Sequence, residues 1–245
     1  MLVSARQWLR MRIAVFGANG PTGRLLVGRL ADLGHIAVAV TRRPESFPTP
    51  TDSGADRVNV VQADVFDGEK VADAVQGADA VLSVLGVPFG RRPVDTFSAG
   101  TANIVAGMRA AGVRRLAVVS STGAHHYRDR RESSLSLRIF EPIISRTIGR
   151  TVYADMRRME DIVTGSGLDW TIVRPSTLFD AERVSDYIAG EVPPVGAFTA
   201  RIDLAHYLGT LIGDTASIGA TPIVSTVENT PTFWQNLKRE AFQSS

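Results

Sequence analysis

Cysteine is absent from the 245 residues, which removes disulfide frameworks, thiolate metal sites and cysteine nucleophiles together. Histidine occurs only four times and shows no metal-ligand spacing, so no metal is expected. No stretch approaches the ~18 uninterrupted apolar residues of a membrane-spanning helix, so no membrane partner is expected either. Charge of one sign is also lacking: 27 Lys and Arg face 25 Asp and Glu, for a net +2. The pI of about 9.3 arises because arginine heavily outnumbers lysine, and a balance so near neutrality gives no reason to expect nucleic acid. What is present is ordinary for a globular chain, 44% hydrophobic and 21% charged, and it is long enough to bury a core. Residues 1–10 lack the long apolar core and small-residue cleavage site of a secretory signal. They give way abruptly to a strand, so 1–11 reads as an added N-terminal arm, and a cytoplasmic location is expected.

From residue 12 the pattern alternates. Apolar runs over 12–17, 36–41, 58–65, 80–85 and 116–120 suit parallel strands buried on both faces. Segments 22–33 (Leu25, Leu26, Leu30 and Leu33 at helical spacing), 69–76 and 94–111 suit the helices between them. Further on, 152–164 predicts a helix, 170–174 a strand, 202–212 a helix, 222–227 a strand and 233–242 a closing helix. Strands alternating with helices predict an α/β fold, a doubly wound parallel sheet with right-handed crossovers. Residues 12–245 read as a single domain. Segments 123–150 and 176–200, the second irregular and rich in Pro and Gly, read as substrate-side insertions forming a small C-terminal lobe.

The strongest motif is Gly17-Ala18-Asn19-Gly20-Pro21-Thr22-Gly23, directly after a strand and opening a helix. In that setting Gly17 permits the tight turn, Gly20 lets backbone approach a pyrophosphate, and Gly23 allows the helix to pack close on the strand. The helix N-terminus offers free N–H groups and a positive dipole end to phosphates, and Pro21 costs little in the first turn. The motif predicts a bound dinucleotide. An NAD site places a carboxylate ~20 residues after the glycines, on the ribose 2′-hydroxyl. Here the second strand ends Val40-Thr41-Arg42-Arg43-Pro44. Arg42 and Arg43 suit a 2′-phosphate, so NADP(H) is expected in preference to NAD(H); the alternative is a solvated basic turn.

These pieces resemble the atypical short-chain dehydrogenase/reductases, specifically the Rossmann-type NAD(P)H-binding group of NmrA-like regulators and biliverdin reductase B-like flavin reductases. Beyond Gly17–Gly23 and the arginine turn, the matching pieces are Ala63-Asp64-Val65, Leu82-Ser83-Val84-Leu85-Gly86, Val119-Ser120-Ser121-Thr122, Ser166-Gly167-Leu168-Asp169-Trp170-Thr171-Ile172-Val173-Arg174-Pro175 and Arg201-Ile202-Asp203-Leu204-Ala205. They occur in family order over most of the chain. The resemblance implies that Asp64 and Val65 flank an adenine, that Leu85 and Gly86 lie at a cofactor ribose, and that Ser120, Pro175 and Ser176 border the nicotinamide side.

Related reductases carry a Ser or Thr after the fifth strand and a Tyr-x-x-x-Lys on the next helix, the lysine tuning the tyrosine as proton donor. The hydroxyls are present as Ser120, Ser121 and Thr122, with Thr122 the best match and Ser121 beside it. The pair is not intact. Tyr153-x-x-x-Arg157 keeps the spacing, but arginine does not replace lysine. Aligning instead on Glu160 and Ser166-Gly167 puts Met156 at the lysine position and leaves Tyr153 one residue out. Tyr153 is therefore either a catalytic residue or a packed helical one. His125 and His126 are weaker candidates to donate a proton or bind an acidic substrate. Arg128, Arg130 and Arg131 could steer an anion, and 135–148 could line a pocket or meet a partner subunit. Ser120 and Ser121 lack a nucleophile-elbow setting, which disfavours serine hydrolysis.

The expectation is an NADP(H)-dependent oxidoreductase that reduces a flavin, quinone or other planar carbonyl compound, with a small planar or anionic molecule as its partner. A non-catalytic NADP(H) redox sensor of the NmrA kind is the alternative. A sugar-nucleotide epimerase or dehydratase comes third, because such enzymes need the intact Tyr–Lys pair.

Overall fold

The structure is a computed structural model that describes residues 10–48, 55–88, 93–125, 127 and 149–231. Its first unit is β1 (Arg12–Phe16), α1 (Pro21–Asp32) and β2 (Ile36–Thr41). Then come β3 (Val58–Gln62), α2 (Gly68–Val75), β4 (Ala80–Ser83), α3 (Thr96–Ala111) and β5 (Arg115–Val119). After the loop that follows β5 come α4 (Arg150–Thr164) and β6 (Asp169–Pro175). The chain continues through β7 (Thr177–Phe179), β8 (Ile188–Gly190), β9 (Phe198–Ala200), α5 (Arg201–Thr210) and β10 (Ile223–Ser225).

Among the described residues, eight strands form one sheet in the order β3-β2-β1-β4-β5-β6-β10-β8. Every neighbouring pair is parallel except β10 with β8. The order reverses between β1 and β4, as in the Rossmann fold, and ligands bind outside the strand C-termini at such a switch point. Helices α2, α3 and α4 pack side by side on one face; α1 and α5 pair on the other. Each face buries its own apolar layer, one holding Phe97, Met108 and Met159, the other Leu26, Leu30 and Leu208. Burial on both faces explains why β1, β2 and β4 are unbroken apolar runs.

Differences from expectation have local causes. The expected strand over 58–65 stops at Gln62, and its residues are largely exposed, Val60 by 40%, because β3 is the sheet edge. Leu25 and Leu33 of α1 are each 38% exposed, while Leu26, Val27 and Leu30 carry the contact. Segment 176–200 is not irregular: it holds β7, β8 and β9, strands of three residues each, too short to show a period in sequence. β7 and β9 pair in a separate parallel two-stranded sheet, closed by an edge-on contact of Phe179 with Phe198 at 6.1 Å. The expected helix over 233–242, the arm over 1–9, His126, Arg128, Arg130, Arg131 and segment 135–148 lie outside the described residues. No helix among the described residues is long and apolar enough to cross a membrane.

Candidate functional site

The glycine loop joins the C-terminal end of β1 to α1. Gly17 turns at φ +79°, and a β-carbon there would stand 2.6 Å from the Val84 carbonyl oxygen, so the loop lies against the chain leaving β4. A β-carbon on Gly23 would stand 2.3 Å from Gly17 O and 2.7 Å from the Ala18 α-carbon, which is the close helix-on-strand contact its place in the motif predicts. Gly20 is different: its β-carbon would meet only Gly17 O, at 3.3 Å. Gly20 N-caps α1 without a side-chain hydrogen bond, Pro21 follows, and no acidic residue occupies the first turn. That helix end therefore has unsatisfied N–H groups and no competing negative charge. Thr22, beside it, is buried.

Next to this loop, Asp64 Oδ1 accepts the Phe66 N–H at 3.1 Å, fixing the turn after β3. The Val65 carbonyl accepts from Asn103 Nδ2 at 2.8 Å. A β-carbon on Gly100 would strike Val65 at 2.9 Å and Leu85 at 3.3 Å, so a glycine on α3 is what lets these two predicted residues meet. Nothing lies within 4 Å of a β-carbon on Gly86. Phe66, 49% exposed, stands beside the same turn.

At the end of β2, Arg42 and Arg43 are both exposed. Asn19 Nδ2 donates to Ser46 Oγ at 2.7 Å, and Ser46 Oγ donates to the Arg43 carbonyl at 2.9 Å. Arg24, on the first turns of α1, donates Nε and Nη2 to Asn19 Oδ1 at 3.1 and 2.7 Å. A third arginine thus joins Arg42 and Arg43 around one corner. The sequence reading missed Arg24 because in the linear motif it follows the last glycine and carries no assigned place. Its helix position, one residue past Gly23, is the signal that could have found it.

The hydroxyls converge at the ends of β5 and β6. The Ser120 N–H donates to the Val173 carbonyl at 2.8 Å. Thr122 Oγ1 donates to Ser176 Oγ at 3.5 Å, and both residues are buried. Pro175, the last residue of β6, is buried beside them. Ser121 is already engaged: its Oγ accepts the Gly123 N–H at 3.1 Å and caps a 3-10 turn over Thr122–Ala124. Ser120 Oγ is buried and has no hydrogen-bond partner, although it lies near enough to Glu160 to help hold that carboxylate charged. A buried hydroxyl without a hydrogen-bond partner at a strand C-terminus fits a site completed by a bound polar group.

Helix α4 clamps this turn. The Tyr153 phenol lies on Gly123, where a β-carbon would stand 2.5 Å from its oxygen. One turn later, Arg157 Nη1 donates to the Ala124 carbonyl at 2.9 Å, and Met156 packs against the core. Beneath lies an ion pair: Arg174 donates Nε to Glu160 Oε1 at 3.1 Å and Nη2 to Oε2 at 2.6 Å. His125 Nε2 bonds Glu160 Oε2 at 2.8 Å, and Arg174 Nη1 donates to the Tyr127 hydroxyl at 3.4 Å. Burial pushes the Glu160 pKa up, but hydrogen bonds from His125 and Arg174, the nearby Ser120 hydroxyl and the Arg174 charge outweigh it and hold the value at about 2.

The profile of the NAD(P)H-binding family matches residues 17–215. A Streptomyces griseus (4-alkanoyl-5-oxo-2,5-dihydrofuran-3-yl)methyl phosphate reductase is 34% identical over 165 residues, covering 67% of this chain and 47% of that protein. The chain thus spans about half that reductase, and 15% of an uncharacterised Mycobacterium tuberculosis protein, 30% identical over 69% of this chain. Among solved structures, a short-chain dehydrogenase/reductase from Veillonella parvula in complex with NADP aligns with a TM-score of 0.73 at 19% identity, over 92% of this chain and 100% of that one. An anaerobilin reductase from Escherichia coli O157:H7 aligns with a TM-score of 0.70 at 20% identity, over 90% of this chain and 100% of that one. The glycine loop, the switch-point sheet and the match over 17–215 show that the chain belongs to the NAD(P)H-binding family and carries a Rossmann-type fold.

Proposed function

We propose that the protein is an NADPH-dependent reductase of a flavin, quinone or other planar carbonyl compound, working in the cytoplasm as one domain over 12–245. The observation that carries this reading is that the glycine loop after β1 and the buried hydroxyls Ser120, Thr122 and Ser176 after β5 and β6 lie at the C-terminal ends of parallel strands along one edge of the sheet. Gly17, Asn19, Gly20, Pro21, Thr22 and Gly23 would hold the pyrophosphate at the α1 N-terminus. Asp64 and Val65 would border the adenine, Leu85 and Gly86 the ribose, and Ser120, Pro175 and Ser176 the nicotinamide. Arg42 and Arg43, with Arg24 beside them, would pair with a 2′-phosphate, favouring NADP(H). When bound, the nicotinamide supplies hydride. Thr122 would orient the acceptor, and segments 123–150 and 176–200 would cover it. The Streptomyces reductase at 34% identity, whose name places a conjugated carbonyl in its substrate, supports this acceptor class.

An NADP(H) sensor of the NmrA kind is the second reading. It is favoured by one observation: Arg157 is spent on the Ala124 carbonyl and Met156 packs against the core, so neither takes the lysine's part. The same break argues against an epimerase or dehydratase. Purified protein incubated with NADPH and a panel of flavins, quinones and enones separates these readings through the fall in nicotinamide absorbance. Turnover above background supports the reductase, and tight NADPH binding without turnover supports the sensor.

A further inference from the structure

Glu160 is 5% exposed on α4 and carries a charge throughout the neutral range. Arg174 alone occupies both of its oxygens, which suffices to hold β6 against α4. The third bond, from Oε2 to His125, is not needed for that pairing and reaches in another direction. It ends on the turn that carries Thr122: the His125 N–H donates to the Thr122 carbonyl at 3.2 Å, so the imidazole and the Thr122 hydroxyl share one turn. The His125 side chain is 29% exposed against 16% for Arg174. With Nε2 committed to Glu160, its Nδ1 makes no hydrogen bond to any described residue. A carboxylate that fixes one ring nitrogen and leaves the other without a hydrogen bond is the arrangement by which a histidine is oriented for proton transfer.

The usual tyrosine–lysine pair is not intact at this place. Tyr153 is packed on Gly123, and the residue four positions on is Arg157, committed to Ala124.

We propose that His125, oriented by Glu160, gives the proton that completes reduction of an acceptor carbonyl held at Thr122. The inference rests on the reductase reading. In the imidazolium form the ring donates Nε2–H to Glu160 and offers Nδ1–H to the acceptor oxygen. The Nδ1–H bond breaks as the O–H bond forms, while the two electrons enter the acceptor as the hydride that bound NADPH supplies. The ring is left neutral with Nε2–H still on Glu160, and water at its exposed edge restores the Nδ1 proton. His125 is the catalytic residue; Glu160 is a positioning residue, and Arg174 holds Glu160.

The test uses His125→Ala and His125→Gln with NADPH and either menadione or 2-cyclohexen-1-one. Turnover is expected to fall by about 10²–10⁴, NADPH affinity by fluorescence to stay within about twofold, and added imidazole to restore part of the rate in His125→Ala. Ring ¹⁵N NMR of the wild type is expected to show the neutral His125 ring protonated on Nε2. Full turnover in both variants, a parallel loss of NADPH affinity without imidazole rescue, or a neutral ring protonated on Nδ1 each overturn the assignment. Wild-type protein inactive with every acceptor sinks the reductase reading and this inference with it. Active wild type with unimpaired variants sinks the inference alone.

Discussion

The Tyr153 hydroxyl rests on the α-carbon of Gly123, so closely that a β-carbon there would stand 2.5 Å from it. The contact docks α4 on the turn after β5, and Arg157 extends it one helical turn along through Ala124. Spacing that resembles a catalytic pair thus places both side chains against the turn that carries Thr122.

That arrangement sets the expectation for Tyr153→Phe: turnover falls less than ~10-fold, well short of the 10²–10⁴ of removing a general acid. Thr122→Val is expected to cost more, because it removes a buried hydroxyl 3.5 Å from Ser176 at nearly constant volume. Steady-state kinetics at saturating NADPH check both. A thousandfold loss at Tyr153 with unchanged NADPH affinity would restore a tyrosine mechanism.

The glycines of the loop separate by what surrounds them. Gly20→Val is expected to fold normally, since its β-carbon meets one oxygen at 3.3 Å, yet to abolish binding of NADPH and NADH alike by filling the phosphate's space. Gly23→Ala is expected to weaken the fold itself, because its β-carbon collides with backbone at 2.3 Å. A cost of about 1–3 kcal/mol lowers Tm by roughly 2–12 °C in a chain of this size. Calorimetry alongside fluorescence titration tells the two effects apart, and normal cofactor binding by a folded Gly20→Val would refute the phosphate assignment.

Arg42→Ala is expected to weaken NADPH binding and leave NADH nearly unchanged. Loss of a charge-assisted phosphate contact costs about 1.5–3 kcal/mol, roughly tenfold to a hundredfold. Arg43→Ala should cost less. Arg24→Gln should also act on NADPH more than NADH, through the corner it forms with Asn19 and Ser46. Equal losses for the two cofactors in all three variants would show that these arginines do not read the 2′-phosphate.

Glu160 links the site to acid stability. Its folded pKa of about 2 lies below the ordinary 4.5. The unfolded chain therefore binds its proton first, and stability present above pH ~4.5 is lost as pH falls toward 2. The difference amounts to on the order of 3 kcal/mol. Glu160→Gln is expected to destabilise the protein at neutral pH, leaving the half-buried Arg174 uncompensated, and to flatten the stability profile between pH 4.5 and 2. Denaturant unfolding across that range measures the slope; an unchanged slope in the variant would refute the assignment.

The residues themselves determined the βαβ alternation and the tight geometry of the glycine loop. Both follow from local chemistry: short apolar runs bounded by turn residues favour strands, and glycine alone tolerates the backbone contacts at Gly17 and Gly23. The absence of a carboxylate at Arg42 was equally legible, being a matter of which residue stands at a strand's end. Tertiary structure decided the rest. Arg24 reaches Asn19 and Ser46 across the loop, Gly100 lets Val65 meet Leu85 from another helix, and β3 is exposed because it lies at the sheet edge. Which atoms Tyr153 and Arg157 meet depended on what the turn after β5 presented to α4. Likewise Glu160, Arg174 and His125 lie on three separate elements, and only the packing of α4 on β6 and that turn brings one carboxylate within reach of both. Spacing along a chain fixes which side chains share a face; which atoms a face meets is set by the element packed against it.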